Sequence, residues 1–268
     1  MRLATTVLAL ALTIAGGPAT AVETRPLRVM SLDQCGDQYA LALAPDAELA
    51  LSPRADDPDS WMREAAAGHR RIRPTLEAAI GFQPDVVLRY WGGDARLLAR
   101  LEADGVRIVT IADATDFDGV RENIRTAARA LDAGAWGDML IARMDARLRE
   151  AAPAPDAVKR SALYLTAGGF TAGRGALVDA ILAAAGLANV VKAPGFAPVS
   201  VERIVMWRPA WFVLGFFDQP RGDWRGPGRH PAIMRAAQGR IAARLPAASL
   251  TCPAWFAADA AVMLKGRG

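Results

Sequence analysis

Apolar positions fall along this chain in two recurring patterns, short unbroken runs and stretches at helical spacing. "LRVMSL" (27–32), mostly apolar ahead of a polar loop, reads as a buried strand. "QYALALA" after it predicts a helix. Residues 52–74 are rich in turn formers and charge, with one short helix expected over about 61–67. Thr75 then caps a short helix that Gly81 stops, and "DVVLRY" (85–90) reads as a strand. Leu97, Leu98 and Leu101 share a helical face ending at Gly105, and "VRIVTI" (106–111) is another strand. Val120, Ile124, Ala127, Ala128 and Leu131 follow at helical spacing. Trp136, Leu140, Met144 and Leu148 then recur every fourth residue within 135–152, a helix of roughly 27 Å.

From there the order starts again. "SALYLT" (161–166) predicts a strand, a glycine-rich loop leads into the helix "ALVDAILAAAG", and Ser200 caps a short helix ahead of the strand "AWFVLGFF" (210–217). A polar loop with Trp224, a helix from about His230 to Ala237, the strand "RIAARLP" and a last helix after Cys252 finish it. Strands alternating with helices imply parallel sheets covered by helices. The expected fold class is α/β, two Rossmann-like lobes with parallel sheets joined by one long α-helix. Its expected divisions are a leader (1–21), an N-terminal lobe (22–134), the interlobe helix (135–152) and a C-terminal lobe (153–268).

One phrase is written twice. Glu77 stands seven residues ahead of Pro84, and an apolar run then ends in Tyr90 and Trp91; Glu202 stands seven residues ahead of Pro209, and the run there ends in Phe216 and Phe217. Loops after the carboxyl ends of parallel strands form the binding edge of such sheets. If the lobes face each other, both aromatic pairs are expected in the cleft between them; otherwise they cap the strand ends. Either Glu alone needs no more than the helix dipole, which favours a carboxylate in the first turn. As a matched pair, one per lobe, they suggest two docking points.

Composition changes the picture mainly at the amino end. Arg2, an apolar run from about Thr5 to Ala15, then Gly16, Gly17, Pro18 and Ala19-Thr20-Ala21 read as a secretory signal peptide cut after Ala21. The run is shorter than the roughly 20 residues that span a bilayer, and no Cys follows to carry a lipid. A periplasmic, exported product is expected. The formal net charge of +4 falls by one without Arg2, and no basic tract with interleaved aromatics suggests nucleic acid. The two cysteines, Cys35 and Cys252, favour a disulfide in an oxidising compartment over two separate buried thiols. His69 and His230 are the only histidines and have no ligating neighbour three or four residues on, so a His-built metal site is not expected. No G-x-S-x-G, H-E-x-x-H, C-x-x-C, P-loop or G-x-G-x-x-G occurs, which leaves a periplasmic hydrolase or oxidoreductase as the remoter alternative, with no catalytic residues to name.

The stretches "RPTLEAAIGFQPDVVL", "RYWGGDARLLARLEADGVRIV", "GGFTAGRGALVDAILAAAGLANVV" and "VSVERIVMWRPAWFV" together resemble the periplasmic substrate-binding proteins of ABC importers for cobalamin, ferric siderophores and haem. The likeness covers nearly all of the chain beyond the leader. Ala210 stands where that family usually has Asp. The resemblance implies a monomer that hands its ligand to an inner-membrane permease and its ATPase, with Glu77 and Glu202 pairing with permease arginines. It also implies which loops line the cleft: Asp33 and Gln34, Arg54, Arg71, Tyr90 and Trp91 from one lobe, Phe170, Phe216 and Phe217 from the other. Arg54, Arg70, Arg71 and Arg73 would form a basic rim suited to an anionic chelate. A ferric siderophore is the first expectation and cobalamin the second. Haem would use Tyr39, Tyr90 or a His as axial ligand. A carrier serving a soluble partner is a further alternative.

Overall fold

The computed structural model describes residues 25–219 and 226–267, so the leader read at 1–21 and Trp224 lie outside the described residues. The first lobe is a parallel sheet of β1 (Arg28–Ser31), β2 (Glu48–Leu51), β3 (Arg70–Arg71), β4 (Val86–Arg89) and β5 (Arg107–Thr110), in the order β3-β2-β1-β4-β5. Three helices lie between these strands, α1 (Gln34–Leu43), α2 (Leu76–Phe82) and α3 (Ala95–Ala103), and α4 (Phe117–Ala130) follows β5. Helices on both faces explain why β1, β2 and β4 are apolar without alternation. Val29, Leu49, Leu51, Val86 and Leu88 face the α1 side, while Met30, Ala50 and Val87 face Phe82, Leu97 and Leu101 on the other.

Helix α5 (Gly134–Ala151) is the long connector, within one residue of the expected bounds. It lies against α4, where Gly137 permits the contact: a Cβ there would sit 2.7 Å from that of Ala128. The second lobe contains β6 (Arg160–Thr166), β7 (Phe170–Ala172), α6 (Leu177–Ala184), β8 (Leu187–Asn189), β9 (Phe196–Pro198), α7 (Val201–Trp207), β10 (Trp211–Gly215), α8 (Pro231–Ala237), β11 (Ile241–Leu245) and α9 (Ala257–Val262). Its parallel sheet has the order β11-β10-β6-β8, and β7 and β9 form a separate antiparallel ribbon.

Three local expectations differ from the structure. Residues 61–68 form turns, not a helix; a segment that short makes too few hydrogen bonds to offset nucleation. Gly81 does not stop α2. Phe82, wholly buried, keeps the last turn wound, and the chain breaks at Gln83 (φ 51°), directly before Pro84. The short strands β3, β7, β8 and β9 were not foreseen, because two or three residues carry no readable period.

The lobes are less separate than their sheets. One apolar core runs from Tyr39, Val120 and Ile124 through Met144 to Ile181, Leu182 and Phe256. The segment after Leu250 packs on the first lobe. Tyr39 donates its hydroxyl to the Pro253 carbonyl (2.8 Å), Trp61 stacks on Phe256 (5.1 Å), and Arg147 on α5 pairs with Asp259 (2.6 Å). Cys35, near the start of α1, is bonded to Cys252 across 217 residues. Among the described residues no helix is long and apolar enough to cross a membrane.

Candidate ligand-binding site

Loops at the carboxyl ends of β1, β2 and β4 converge on a cavity of about 600 Å³. It is lined by residues 32–35 and 52–54, Pro74, Tyr90, Trp91 and, from the C-terminal segment, Thr251. Asp33, Gln34, Arg54, Tyr90 and Trp91 are therefore brought together as the sequence suggested. Their side chains do different work, however.

Asp33 organises the loops. One carboxylate oxygen caps α1 by accepting from the Gly36 N–H (2.9 Å), and the other accepts from the N–H groups of Tyr90, Trp91 and Gly92 (2.6, 2.9 and 2.7 Å). Four backbone donors on one carboxylate lock the β4 loop to the start of α1. At Gly92 that loop touches backbone: an added Cβ would meet the Leu32 carbonyl at 2.3 Å. Asp37, buried one turn along α1, accepts from the N–H and hydroxyl of Ser52 and so fixes the β2 loop. Burial pushes its carboxyl up to about 6, against those hydrogen bonds.

Several expected contacts point elsewhere. Gln34 is buried, and its amide donates to Asp59 (2.9 Å) and Ser60 (2.8 Å). Arg54 is exposed but paired with Asp57 (2.7 Å) and Asp59 (3.4 Å). Arg71 lines neither this cavity nor a second one of about 540 Å³, which adjoins it at Tyr90 and Thr251 and is also lined by Asp113 and Phe196; it donates to the carbonyls of His69 and Ala66 and pairs with Asp56, stapling its own loop. Arg70 lies over the Phe82 ring, so Arg54, Arg70 and Arg71 make no common rim. Phe217 is held between Arg229 and Arg244 against the second lobe's core. Phe216 is half-buried at the end of β10 with φ +61°, a left-handed backbone unusual for a bulky residue. Phe170 is exposed on the ribbon, outside both cavities. Tyr39 is wholly buried, and His230 caps α8 through Nδ1.

What remains open to the cavity is aromatic. Trp91 is 70% exposed and meets Tyr90 edge-on at 5.1 Å. Tyr90 donates its hydroxyl to Asp113, and burial, then that carboxylate, push the phenol up to about 12. Asp113, Phe196 and Thr251 were not picked out from sequence. Asp113 was within reach, standing just past a predicted strand; Phe196 was not, because β9 was not foreseen.

Glu77 and Glu202 occupy equivalent places. Thr75 and Ser200 cap α2 and α7, each helix has seven residues, and each ends in a left-handed residue (Gln83, φ 51°; Arg208, φ 46°) directly before proline. Each helix runs back before a parallel strand, β4 or β10, so its amino end lies at the carboxyl edge of its sheet, the edge that bears the cleft. Both carboxylates are exposed, and that of Glu202 is held below its usual range by its own backbone N–H and by Ser200. Ile80 and Met206 stand exposed beside them.

Comparison with known proteins bears on the family and the fold. Residues 32–216 match the family model described as "Periplasmic binding protein". A cobalamin-binding protein of Halobacterium salinarum is 27% identical over 210 residues, a match covering 75% of this chain and only 57% of that protein's length. Among solved structures, the periplasmic heme-binding protein RhuT from Roseiflexus sp. RS-1 superposes with a TM-score of 0.66 at 23% identity, covering 90% of this chain and 97% of RhuT. The vitamin B12 binding protein BtuF of Vibrio cholerae gives 0.61 at 18% identity, covering 89% and 95%. With a family match over most of its length and the same two-lobed parallel-sheet fold, the chain belongs to the periplasmic binding protein family.

Proposed function

We propose that this protein captures a corrinoid in the interlobe cleft and delivers it to an ABC importer in the inner membrane. The observation that carries the ligand class is the broad, exposed Trp91 indole above a cavity where, among the described residues, the guanidinium of Arg54 is already paired. A large, flat, weakly charged chelate gains from aromatic contact and needs no ion pair. The first expectation, a ferric siderophore, rested on a basic rim. Arg54 and Arg71 already have carboxylate or carbonyl partners, which disfavours an anionic chelate. A neutral ferric chelate is the second reading, favoured by the same indole. Haem is less suited: Tyr39 is buried, His230 caps a helix, and the Tyr90 phenol resists ionisation beside Asp113. The named cobalamin-binding relative supports the corrinoid reading, and binding relatives support a role without catalysis.

Titration of the purified protein with cobalamin, a neutral ferric hydroxamate and haemin separates these readings. Cobalamin is expected to quench tryptophan fluorescence and raise the melting temperature, with about 2.7 kcal/mol of stabilisation at 100 times Kd. Trp91→Ala should remove most of the quench. A thermal shift with the hydroxamate or haemin and none with cobalamin would overturn the corrinoid assignment.

Delivery is proposed to use Glu77 and Glu202 as a symmetric pair of contacts for permease arginines. The double variant Glu77→Ala, Glu202→Ala should keep ligand affinity, since neither residue lines the cleft cavities, yet abolish uptake in cells. Uptake at the wild-type rate would remove the docking role.

A further inference from the structure

The two lobes differ sharply in charge. Residues 22–152 carry 17 Arg against 22 Asp and Glu, a formal −5, whereas residues 153–268 carry 14 Lys and Arg against 6 Asp and Glu, a formal +8. Ion pairs do not offset the excess. Among the described residues, every base within salt-bridge distance of a carboxylate lies in 25–147, and no Lys or Arg of the second lobe has such a partner. The lobe's described carboxylates are engaged elsewhere. Glu202 and Asp218 stand at the cleft edge, Asp179 accepts from Asn189, and Asp259 pairs with Arg147, which leaves Asp156 in the turn ahead of Lys159. Part of the basic excess gathers at the amino edge of the second sheet, the end opposite the cleft. Arg160 opens β6, and Trp211 opens β10 beside it. The guanidinium carbons of Arg160 and Arg267 lie 6.0 and 5.2 Å from the centre of the half-buried Trp211 ring, so the segment after α9 meets the start of β6 there. Lys159 and Lys265 flank these arginines in the chain, both exposed. Apolar side chains stand among the cations: Val158 is 80% exposed and Met263 45%.

We propose that this base of the second lobe binds an anionic phospholipid surface. Cations gathered without a carboxylate partner repel one another, and an anion from outside relieves that repulsion. The guanidinium fork suits a lipid phosphate, and Lys159 and Lys265 add to the attraction of a negatively charged surface. Val158 and Met263 enter the headgroup layer, where apolar side chains set among cations gain contact. Those two residues favour lipid over an acidic protein, which would need only the charges. Glu77 and Glu202 lie at the opposite edges of their sheets, so a molecule held by its base turns its cleft and both carboxylates away from the lipid. The patch therefore holds the protein at a membrane with the cleft free to load, and release precedes docking on a permease in that membrane. None of this depends on which ligand the cleft takes.

Co-sedimentation with vesicles of phosphatidylcholine containing phosphatidylglycerol, beside vesicles of phosphatidylcholine alone, tests this. The wild type should pellet with the anionic vesicles and not with the neutral ones, and the bound fraction should fall steeply as salt is raised, because salt screens the surface potential. Lys159→Glu with Lys265→Glu should weaken binding about 25-fold or more, at about fivefold for each cation removed from an anionic surface. Arg63→Glu with Arg96→Glu makes the same change in net charge on exposed positions of the first lobe and should leave binding within about twofold of the wild type. A wild type that stays in the supernatant with anionic vesicles overturns the proposal. So does a first-lobe variant that loses as much binding as the second-lobe one, since net charge and not the patch would then set the attraction. A wild type retained by immobilised poly-glutamate but not by the vesicles overturns it as well and makes the patch a site for an acidic protein. Melting curves of the variants confirm that each remains folded.

Discussion

Replacing Asp33 with alanine is expected to lower stability by about 3–5 kcal/mol and to remove most of the ligand affinity. Its carboxylate accepts four backbone N–H groups, one at the start of α1 and three in the β4 loop. Hydrogen bonds to a charged group contribute about 1.5–3 kcal/mol each, and loss of a helix cap alone costs about 1. The effects do not sum fully, because the exposed loop lets water reach some of the donors. Without the carboxylate, nothing else on α1 holds Tyr90 and Trp91 in place, so binding falls together with stability. Asp33→Asn should recover only part of the loss: an amide offers one oxygen where both carboxylate oxygens are used, and its NH₂ would face a backbone donor. Urea denaturation and ligand titration measure the two effects. A stability loss below about 1 kcal/mol would show that water replaces the carboxylate at little cost.

The second large effect concerns the bond between the lobes. Cys35→Ala with Cys252→Ala is expected to destabilise the protein by about 3–5 kcal/mol, because the bond closes a loop of more than two hundred residues in the unfolded chain. For a chain of this size that corresponds to a fall in melting temperature of roughly 6–20 °C. The native lobes should stay together, since the core from Tyr39 to Phe256 and the Tyr39–Pro253 hydrogen bond do not depend on the bridge. Differential scanning calorimetry of the double variant, beside reduced wild type, measures the fall. A single transition at an unchanged temperature would show that residual structure in the unfolded chain already restrains the loop.

The architecture was largely legible in the sequence. Short, mostly apolar runs at β1, β4 and β6 read as strands covered on both faces, and the four-residue spacing from Trp136 to Leu148 bounded α5 to within a residue. The repeated Glu-to-Pro phrase proved to be a repeated structure down to the left-handed residue before each proline. The site was less legible. Position at a strand end placed Tyr90 and Trp91 on the cavity, yet the same reasoning placed Phe217 there and the family resemblance placed Arg71 there, and neither lines it. Arg71 differs because its guanidinium reaches carbonyls of its own loop, and Phe217 because two arginines and an apolar core surround it.

Hydrophobic period, caps and prolines are properties of neighbours along the chain, and they determined the strands, the helices, their order and hence the α/β class and its repeat. Which way a polar side chain turns depends on the donors and acceptors that folding brings within 3 Å of it, and those come from residues distant in sequence. Only the tertiary structure therefore decided that Asp33 builds the site from beneath, that Arg54 is already paired, that Asp113 and Phe196 stand at the cleft, and that the tail after Leu250 closes the first lobe's core.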